Sequence, residues 1–350
     1  MAEHMETNNV KGKRILFLCE DFFGYDQMIC EELVSMGAEE VHLKNAAFFR
    51  SSLRERESFR IKKFLRNPHE RRDWTREFEK EIEGKRFDMF LCVENACFSK
   101  SFMTYLRAKN PGVKCALFLW DKYETQQGGF KDYRFLFDKV YSFDRDDCQK
   151  YGMEYFPDFY IPQPCPDHYD YDISFVGTAR RKTTIHRFAL MDYVYQFCLQ
   201  HGLKSHLYLK AKEPGLKKYS KAKRYFKEHL FQSKYRRLYA RYKEQPWLKT
   251  ESLPLADCIR IQNSAKVLLD LNHTNRQGMT LNAIAAIANG QKLITTNKRI
   301  KEEAFYDPDM IYVMDDKNPH LDIDFFNRPC RKVDISYLRI DNWLNHILSF

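Results

Sequence analysis

No Cys-x-x-Cys pair, no G-x-G-x-x-G turn and no long uncharged apolar run occur in this 350-residue sequence. The ten cysteines stand singly, several of them inside apolar runs. They read as reduced, mostly buried thiols, which argues against a disulfide framework and against a zinc site. The missing glycine fingerprint counts against a dinucleotide-dependent dehydrogenase. Without an apolar run of sufficient length there is no candidate transmembrane span. The opening residues MAEHMETNNVKGKR lack the apolar middle of a secretory signal, so a cytoplasmic protein is expected. RRM, KH and helix-turn-helix signatures are missing too, and no internal repeat is convincing.

What is present supports two domains with cores of their own: 44% of residues are hydrophobic and 15% aromatic. The net charge of +10 is concentrated. Most of it lies in Lys204 to Lys249, interleaved with Tyr219, Tyr225, Phe226, Tyr235, Tyr239 and Tyr242, and a smaller basic block spans Arg50 to Arg76. Nucleic acid, an anionic membrane surface or a phosphorylated small molecule would each suit such patches, and so would a plain solvated helical face.

Along the chain, short apolar runs alternate with helical patterns. Strands are expected over Lys13 to Glu20, Glu40 to Leu43, Phe87 to Val93, Val113 to Leu119 and Phe137 to Phe143. Three of them end in acids, at Glu20-Asp21, Trp120-Asp121 and Asp144, and in an open parallel sheet those ends share the edge where ligands bind. Pro157, Pro162, Pro164 and Pro166 then crowd an irregular span that reads as a linker. After it the pattern restarts. Asp172 to Gly177 is a strand followed by Thr178-Ala179-Arg180-Arg181, Thr183 to Gly202 is a helix, Ser205 to Leu209 is a strand, and Asp334 to Phe350 closes the chain as a helix.

The most informative stretch is Asn263 to Asn297. Val267 to Leu271 is strand-like, Asn272 to Gln277 is a polar loop, Gly278-Met279-Thr280 opens an Ala/Leu/Ile-rich helix, and Lys292 to Thr296 is a second strand. A parallel crossover of this kind sets its loop at the carboxyl end of a strand and the amino end of a helix. Backbone N–H groups and the positive end of a helix dipole there suit a phosphate or pyrophosphate.

Taken in order, KRILFLCEDFFGY, LFLWDKYE, KVYSFDRDDCQKYG, YDISFVGTARR and NRQGMTLNAIAAIANGQKLITTN resemble a bacterial family of capsular and lipopolysaccharide biosynthesis glycosyltransferases, related to CgeB-like enzymes and to the GT-B class. The resemblance covers nearly the whole chain, with Lys210 to Lys249 least constrained. It implies an α/β, GT-B-like fold: two facing Rossmann-like domains with a cleft between them. Residues 1–165 would form the acceptor-side domain, 166–333 the nucleotide-sugar domain, and 334–350 a helix packing back on the first. It also implies a sugar transferred from a nucleotide-sugar donor to a glycan or lipid-linked acceptor in surface polysaccharide assembly; the basic aromatic segment Lys204 to Lys249 would then give peripheral contact with the anionic inner face of the membrane.

The residues fit that chemistry. A leaving nucleoside diphosphate must be stabilised, and Gly278, Met279 and Thr280 supply a helix start while Arg180 and Arg181 supply guanidinium groups. Gly177 and Thr178 precede those arginines, and Asn272 and Gln277 can hydrogen-bond ribose, sugar or phosphate. An exposed salt-bridging pair is the competing reading of Arg180 and Arg181. Asp21 is the first candidate base for the acceptor hydroxyl, with Asp121 and Glu20 as alternatives, although acids at strand ends also cap helices. Asp144-Arg145-Asp146 fits a metal-holding D-x-D pattern, yet the pattern is short, helix capping competes, and neither a metal nor another cofactor is expected. Many retaining GT-B enzymes carry acids where this chain has Gln277 and Ala285, which puts donor identity, stereochemistry and activity itself in question. Two alternatives therefore stay open. One is a nucleic-acid-binding protein using Lys204 to Lys249, which the lack of a signature argues against; the other is a non-catalytic GT-B-like assembly partner.

Overall fold

A computed structural model of the chain describes residues 8–20, 23–45, 68–94, 100–123, 134–164, 168–180, 183–214, 234–273 and 278–350, the side chains of 68–74 excepted. Its first strand, β1 (Arg14–Cys19), is buried at every position after Arg14. Five successive apolar side chains cannot alternate between water and core, so the strand must be covered on both faces, as in a parallel sheet. The following elements supply that sheet: α1 (Tyr25–Ser35), β2 (Glu40–Asn45), α2 (Pro68–Glu81), β3 (Met89–Val93), α3 (Lys100–Lys109), β4 (Lys114–Leu119), β5 (Lys139–Ser142), α4 (Arg145–Tyr151) and β6 (Glu154–Tyr155). All neighbours are parallel, in the order β2-β1-β3-β4-β5-β6. The order reverses direction between β1 and β3.

The second sheet repeats the design. It is built from β7 (Tyr171–Ala179), α5 (Arg187–His201), β8 (Ser205–Ala211), β9 (Leu248–Lys249), α6 (Leu255–Asn263), β10 (Ala265–Asp270), α7 (Leu281–Ala288), β11 (Lys292–Thr295), β12 (Ile311–Val313) and α8 (Ile323–Asn327). The strand order is β12-β11-β10-β7-β8-β9, again wholly parallel, so its switch point lies between β7 and β10. Two six-stranded Rossmann-like units thus carry the α/β architecture that the strand–helix alternation predicts.

The first unit comprises Met1–Asp158 and Tyr337–Phe350, the second Phe159–Ser336. The terminal segment joins the first through α9 (Ile340–Ile347). Trp343 is fully buried there, its indole Nε1 donates to the Pro157 carbonyl at 3.0 Å, and its ring meets Phe118 edge-on at 4.7 Å. Asn345 accepts from the Asn9 backbone N–H and, through its carbonyl, from the Asn9 amide, at 2.8 and 3.0 Å. The closing helix is shorter than the sequence suggests: a single 3-10 turn, Ser336–Leu338, precedes it.

The aromatic side chains of the basic segment behave differently from a nucleic-acid platform. Tyr235, Tyr242 and Trp247 are buried in the second core beside Phe188, and the Tyr235 hydroxyl donates to the Lys212 carbonyl at 2.8 Å. A base cannot stack on a ring enclosed by its own core. Tyr219, Tyr225 and Phe226 lie outside the described residues. Among the described residues no helix is long and apolar enough to cross a membrane.

Candidate functional site

In an open parallel sheet the crevice forms where strand order reverses, outside the carboxyl ends of the two strands at that point. In the second unit these strands are β7 and β10, and the sequence-predicted residues Gly177, Thr178, Arg180, Asn272, Gly278, Met279 and Thr280 all follow or end them. Arg181 and Gln277 lie outside the described residues.

A residue that sequence reading buried inside a helix holds the two strand ends together. Arg187 opens α5, donates from Nη1 to the Thr178 carbonyl at 3.0 Å and from Nη2 to the Leu271 carbonyl. Its guanidinium is buried over the Phe175 ring. Burial brings its pKa down to about 10, with Arg180 pushing the same way and the Asp270 carboxylate opposing. Gly177 makes room for this arrangement. A methyl group there would meet the Phe175 ring at 2.5 Å and Arg187 Nη1 at 3.2 Å. Gly177 and Thr178 therefore serve the scaffold, one by its lack of a side chain and the other by its carbonyl.

The Arg180 turn is pinned by Thr184. The Arg180 N–H donates to Thr184 Oγ1 at 2.6 Å, and that hydroxyl donates to the Thr178 carbonyl at 2.9 Å. The Arg180 side chain is exposed. It lies within electrostatic range of both Arg187 and His273, which joins the two halves of the corner.

Across the switch point, Asp270 ends β10 fully enclosed. One carboxylate oxygen accepts from the Thr280 hydroxyl and the other from the Thr295 hydroxyl, each at 3.0 Å. Burial raises its pKa, and the two hydroxyls and Arg187 only partly offset that. Thr280 is the N-cap of α7, and its Oγ1 accepts from the Ala283 N–H at 3.1 Å. The helix thus begins at Leu281 rather than at Gly278, because Thr280 is the residue whose side chain can receive an early N–H. Met279 is buried and Gly278 sits beneath the chain surface, so both offer backbone.

Asn272 is the unusual residue. Its N–H donates to Thr296 Oγ1 at 2.9 Å and its carbonyl accepts from His186 Nε2 at 3.0 Å, yet both atoms of its buried side-chain amide have no partner among the described residues. Asn297, next in sequence after Thr296, accepts from the Arg299 N–H at 3.0 Å through Oδ1, while its buried amide nitrogen has no partner among the described residues. Unpaired buried amides cost about 1–3 kcal/mol each, so a polar ligand that pairs them would recover that energy.

His186 and His273 complete the corner, and both escaped sequence reading. Burial first, then Arg187, lowers the His186 pKa. For His273 burial, Arg187, Arg180 and His186 together bring it down to about 4. Two guanidinium groups and two imidazoles of lowered pKa thus share the corner with the buried Asn272 amide.

The first unit's carboxyl edge is acidic instead. Glu94, directly after β3, lies in the left-handed region (φ 70°), which is costly for a residue with a side chain. Its Oε2 accepts from the Trp120 and Asp121 N–H groups at 3.1 and 3.0 Å. Asp121 is half-buried and Glu20 buried, while Asp21 lies outside the described residues. Asp144 is the N-cap of α4, accepting from the Asp146 and Asp147 N–H groups, so half of the D-x-D pair is engaged in capping. Asp158 is buried, one of its oxygens has no partner among the described residues, and burial followed by the charge of Glu94 raises its pKa well above the ordinary value.

No family model and no curated protein sequence matches the chain. Solved structures do. The apo structure of OtsA superposes with a TM-score of 0.53 at 10% identity, over 96% of this chain and 97% of that one. The N-terminal domain of Candida albicans trehalose-6-phosphate phosphatase does so with a TM-score of 0.50 at 11% identity, over 97% and 89%. At such identities the likeness is one of fold: two Rossmann-like units in a GT-B-like chain.

Proposed function

We propose that the chain is a glycosyltransferase that binds a nucleotide-sugar donor at the switch point of its second sheet. The observation that carries this reading is the buried side-chain amide of Asn272, without a partner among the described residues, just past the end of β10, which Arg187 ties to β7 and Asp270 ties to the N-cap of α7. A diphosphate would pair that amide, meet the Arg180 guanidinium and face the N–H groups of Leu281 and Asn282, which precede the first helical bond from Ile284 to Thr280. As the sugar–phosphate bond breaks, negative charge grows on the leaving oxygen, and donors fixed in advance stabilise it without reorganisation.

The acids expected by the retaining pattern are absent at Gln277 and Ala285. Asn272 and Asn297 are our candidates for the ribose or phosphate contacts instead. The acceptor, a glycan or lipid-linked sugar, we assign to the acidic edge of the first sheet, with Asp121 or Asp21 taking the hydroxyl proton. A role in capsule or lipopolysaccharide assembly rests on the sequence resemblance, and peripheral contact with the inner face of the membrane rests on the basic segment Lys204 to Lys249. The test is release of nucleoside diphosphate from a panel of nucleotide sugars in the presence of glycan and lipid-linked acceptors. Turnover with at least one donor, lowered about a hundredfold or more in Asp121→Asn or Asp21→Asn, supports the assignment. Tight donor binding with no turnover against any acceptor would leave an assembly partner as the better reading.

A further inference from the structure

His273 follows Asn272 directly, is half-buried, and its ring makes no hydrogen bond among the described residues. Its protonation state is therefore set by burial and by the neighbouring charges rather than by a hydrogen-bond partner among the described residues. The groups facing it are Arg180 after β7, Arg187 at the start of α5 and His186 just before it. His186 in turn meets Arg187, the Asn272 carbonyl and, more remotely, Asp316, while Arg187 meets Asp270. Because a carbonyl can only accept, His186 carries its proton on Nε2. Its Nδ1 is then a buried lone pair without a donor.

We propose that His273, supported by His186, is a binding residue for the donor's diphosphate that takes up a proton as the ligand binds, so that the site selects multiply charged anions and holds them more tightly in mild acid. This rests on the reading of the corner as a diphosphate site, and it goes further by assigning two histidines and a coupled proton to it. The physical reason is linkage. In the free protein burial, and after it Arg187, Arg180 and His186, keep the His273 ring neutral, with a pKa of about 4. A nearby anion shifts such a group by roughly 1–3 units towards its charged form. Between the two values the bound state carries a proton that the free state lacks, and that difference appears as a pH-dependent affinity.

Titration calorimetry in buffers of different ionisation enthalpy counts the protons. The probes are UDP-glucose, UDP-N-acetylglucosamine and GDP-mannose, whose diphosphate diesters do not titrate in mild acid, together with inorganic pyrophosphate. For a bound-state pKa near about 6, uptake approaches one proton at about pH 5, and binding is about tenfold tighter there than at about pH 7. His273→Gln removes most of the uptake and flattens the pH dependence. Comparing wild type with this variant cancels the titration of pyrophosphate itself. Binding of a nucleotide sugar without proton uptake overturns the role of His273 and leaves the donor site standing. Pyrophosphate binding with uptake, but no nucleotide sugar binding, supports the histidine and removes the donor reading. Failure of every probe to bind overturns both. The wild-type proton count decides the matter even where the variant folds poorly.

Discussion

Asn272 holds an amide whose oxygen and nitrogen are both buried and both without a partner among the described residues, a cost that a bound polar group would offset. Asn272→Leu keeps the approximate volume and removes the unpaired atoms. It should melt no lower than wild type, and relief of the unpaired amide is worth about 1–3 kcal/mol. Nucleotide-sugar affinity should nevertheless fall about tenfold or more, as read by titration calorimetry. A drop in melting temperature with unchanged affinity would show the amide to be structural. Gly177→Ala should do the reverse: the added methyl meets the Phe175 ring at 2.5 Å and presses on Arg187. We expect a loss of about 1–3 kcal/mol in urea unfolding, with weaker ligand binding as a consequence of the displaced guanidinium. Asp158 offers a test by pH. Its folded pKa is raised, so the stabilising contribution is complete below the ordinary carboxylate pKa and is lost as pH rises through the folded value. Asp158→Asn cannot ionise, and its melting-temperature advantage over wild type should grow from about pH 4 to about pH 8.

At the scale of elements, α7 is fastened by one side chain. Thr280 caps the helix through Ala283 and also donates to Asp270, which ties the helix start to the end of β10 and, through Thr295, to β11. Thr280→Ala removes the cap and leaves a buried carboxylate short of a donor. Chemical denaturation should report a loss of about 1–3 kcal/mol, more than a cap alone, and an unchanged midpoint would contradict this account. This strand–loop–helix unit was legible in the sequence because its apolar runs and turn residues agree: Val267 to Leu271, then Asn272, then the alanine-rich run to Gly290. Gly278 as the helix start was not, since composition marks a loop end but only geometry shows that Thr280 receives the Ala283 N–H. Arg187, His186 and His273 went unread for a related reason. Arg187 and His186 sit in a segment whose pattern predicts a helix from Thr183, whereas α5 begins only at Arg187. One polar residue at the head of an apolar helix looks like surface until topology sets it beside β10. Very short strands such as β6 and β9 carry too few residues to show a period, and both were missed.

At the scale of the whole molecule, the chain is two Rossmann-like units, and the last segment belongs to the first of them. Trp343 anchors it, buried against Phe118 and bonded to Pro157, so Trp343→Ala should cost the first unit about 3–5 kcal/mol. Hydrogen exchange is the suitable readout, with protection lost in β1 and β4 and retained in β7 and β10. Each unit brings a distinct charge to the carboxyl ends of its strands: acids at Glu20, Glu94 and Asp121 in one, and Arg180, Arg187 and the Asn272 amide in the other. That division of labour, an acidic edge for a hydroxyl and a basic corner for a diphosphate, is the centre of the account. Its most direct test is the binding isotherm of a nucleotide-sugar panel on the intact chain, repeated on Asn272→Leu and on Arg187→Met where each variant still melts cooperatively. The account predicts saturable binding of at least one nucleotide sugar, weakened about tenfold or more in both variants. No binding across the panel, or binding that neither substitution changes, would contradict it.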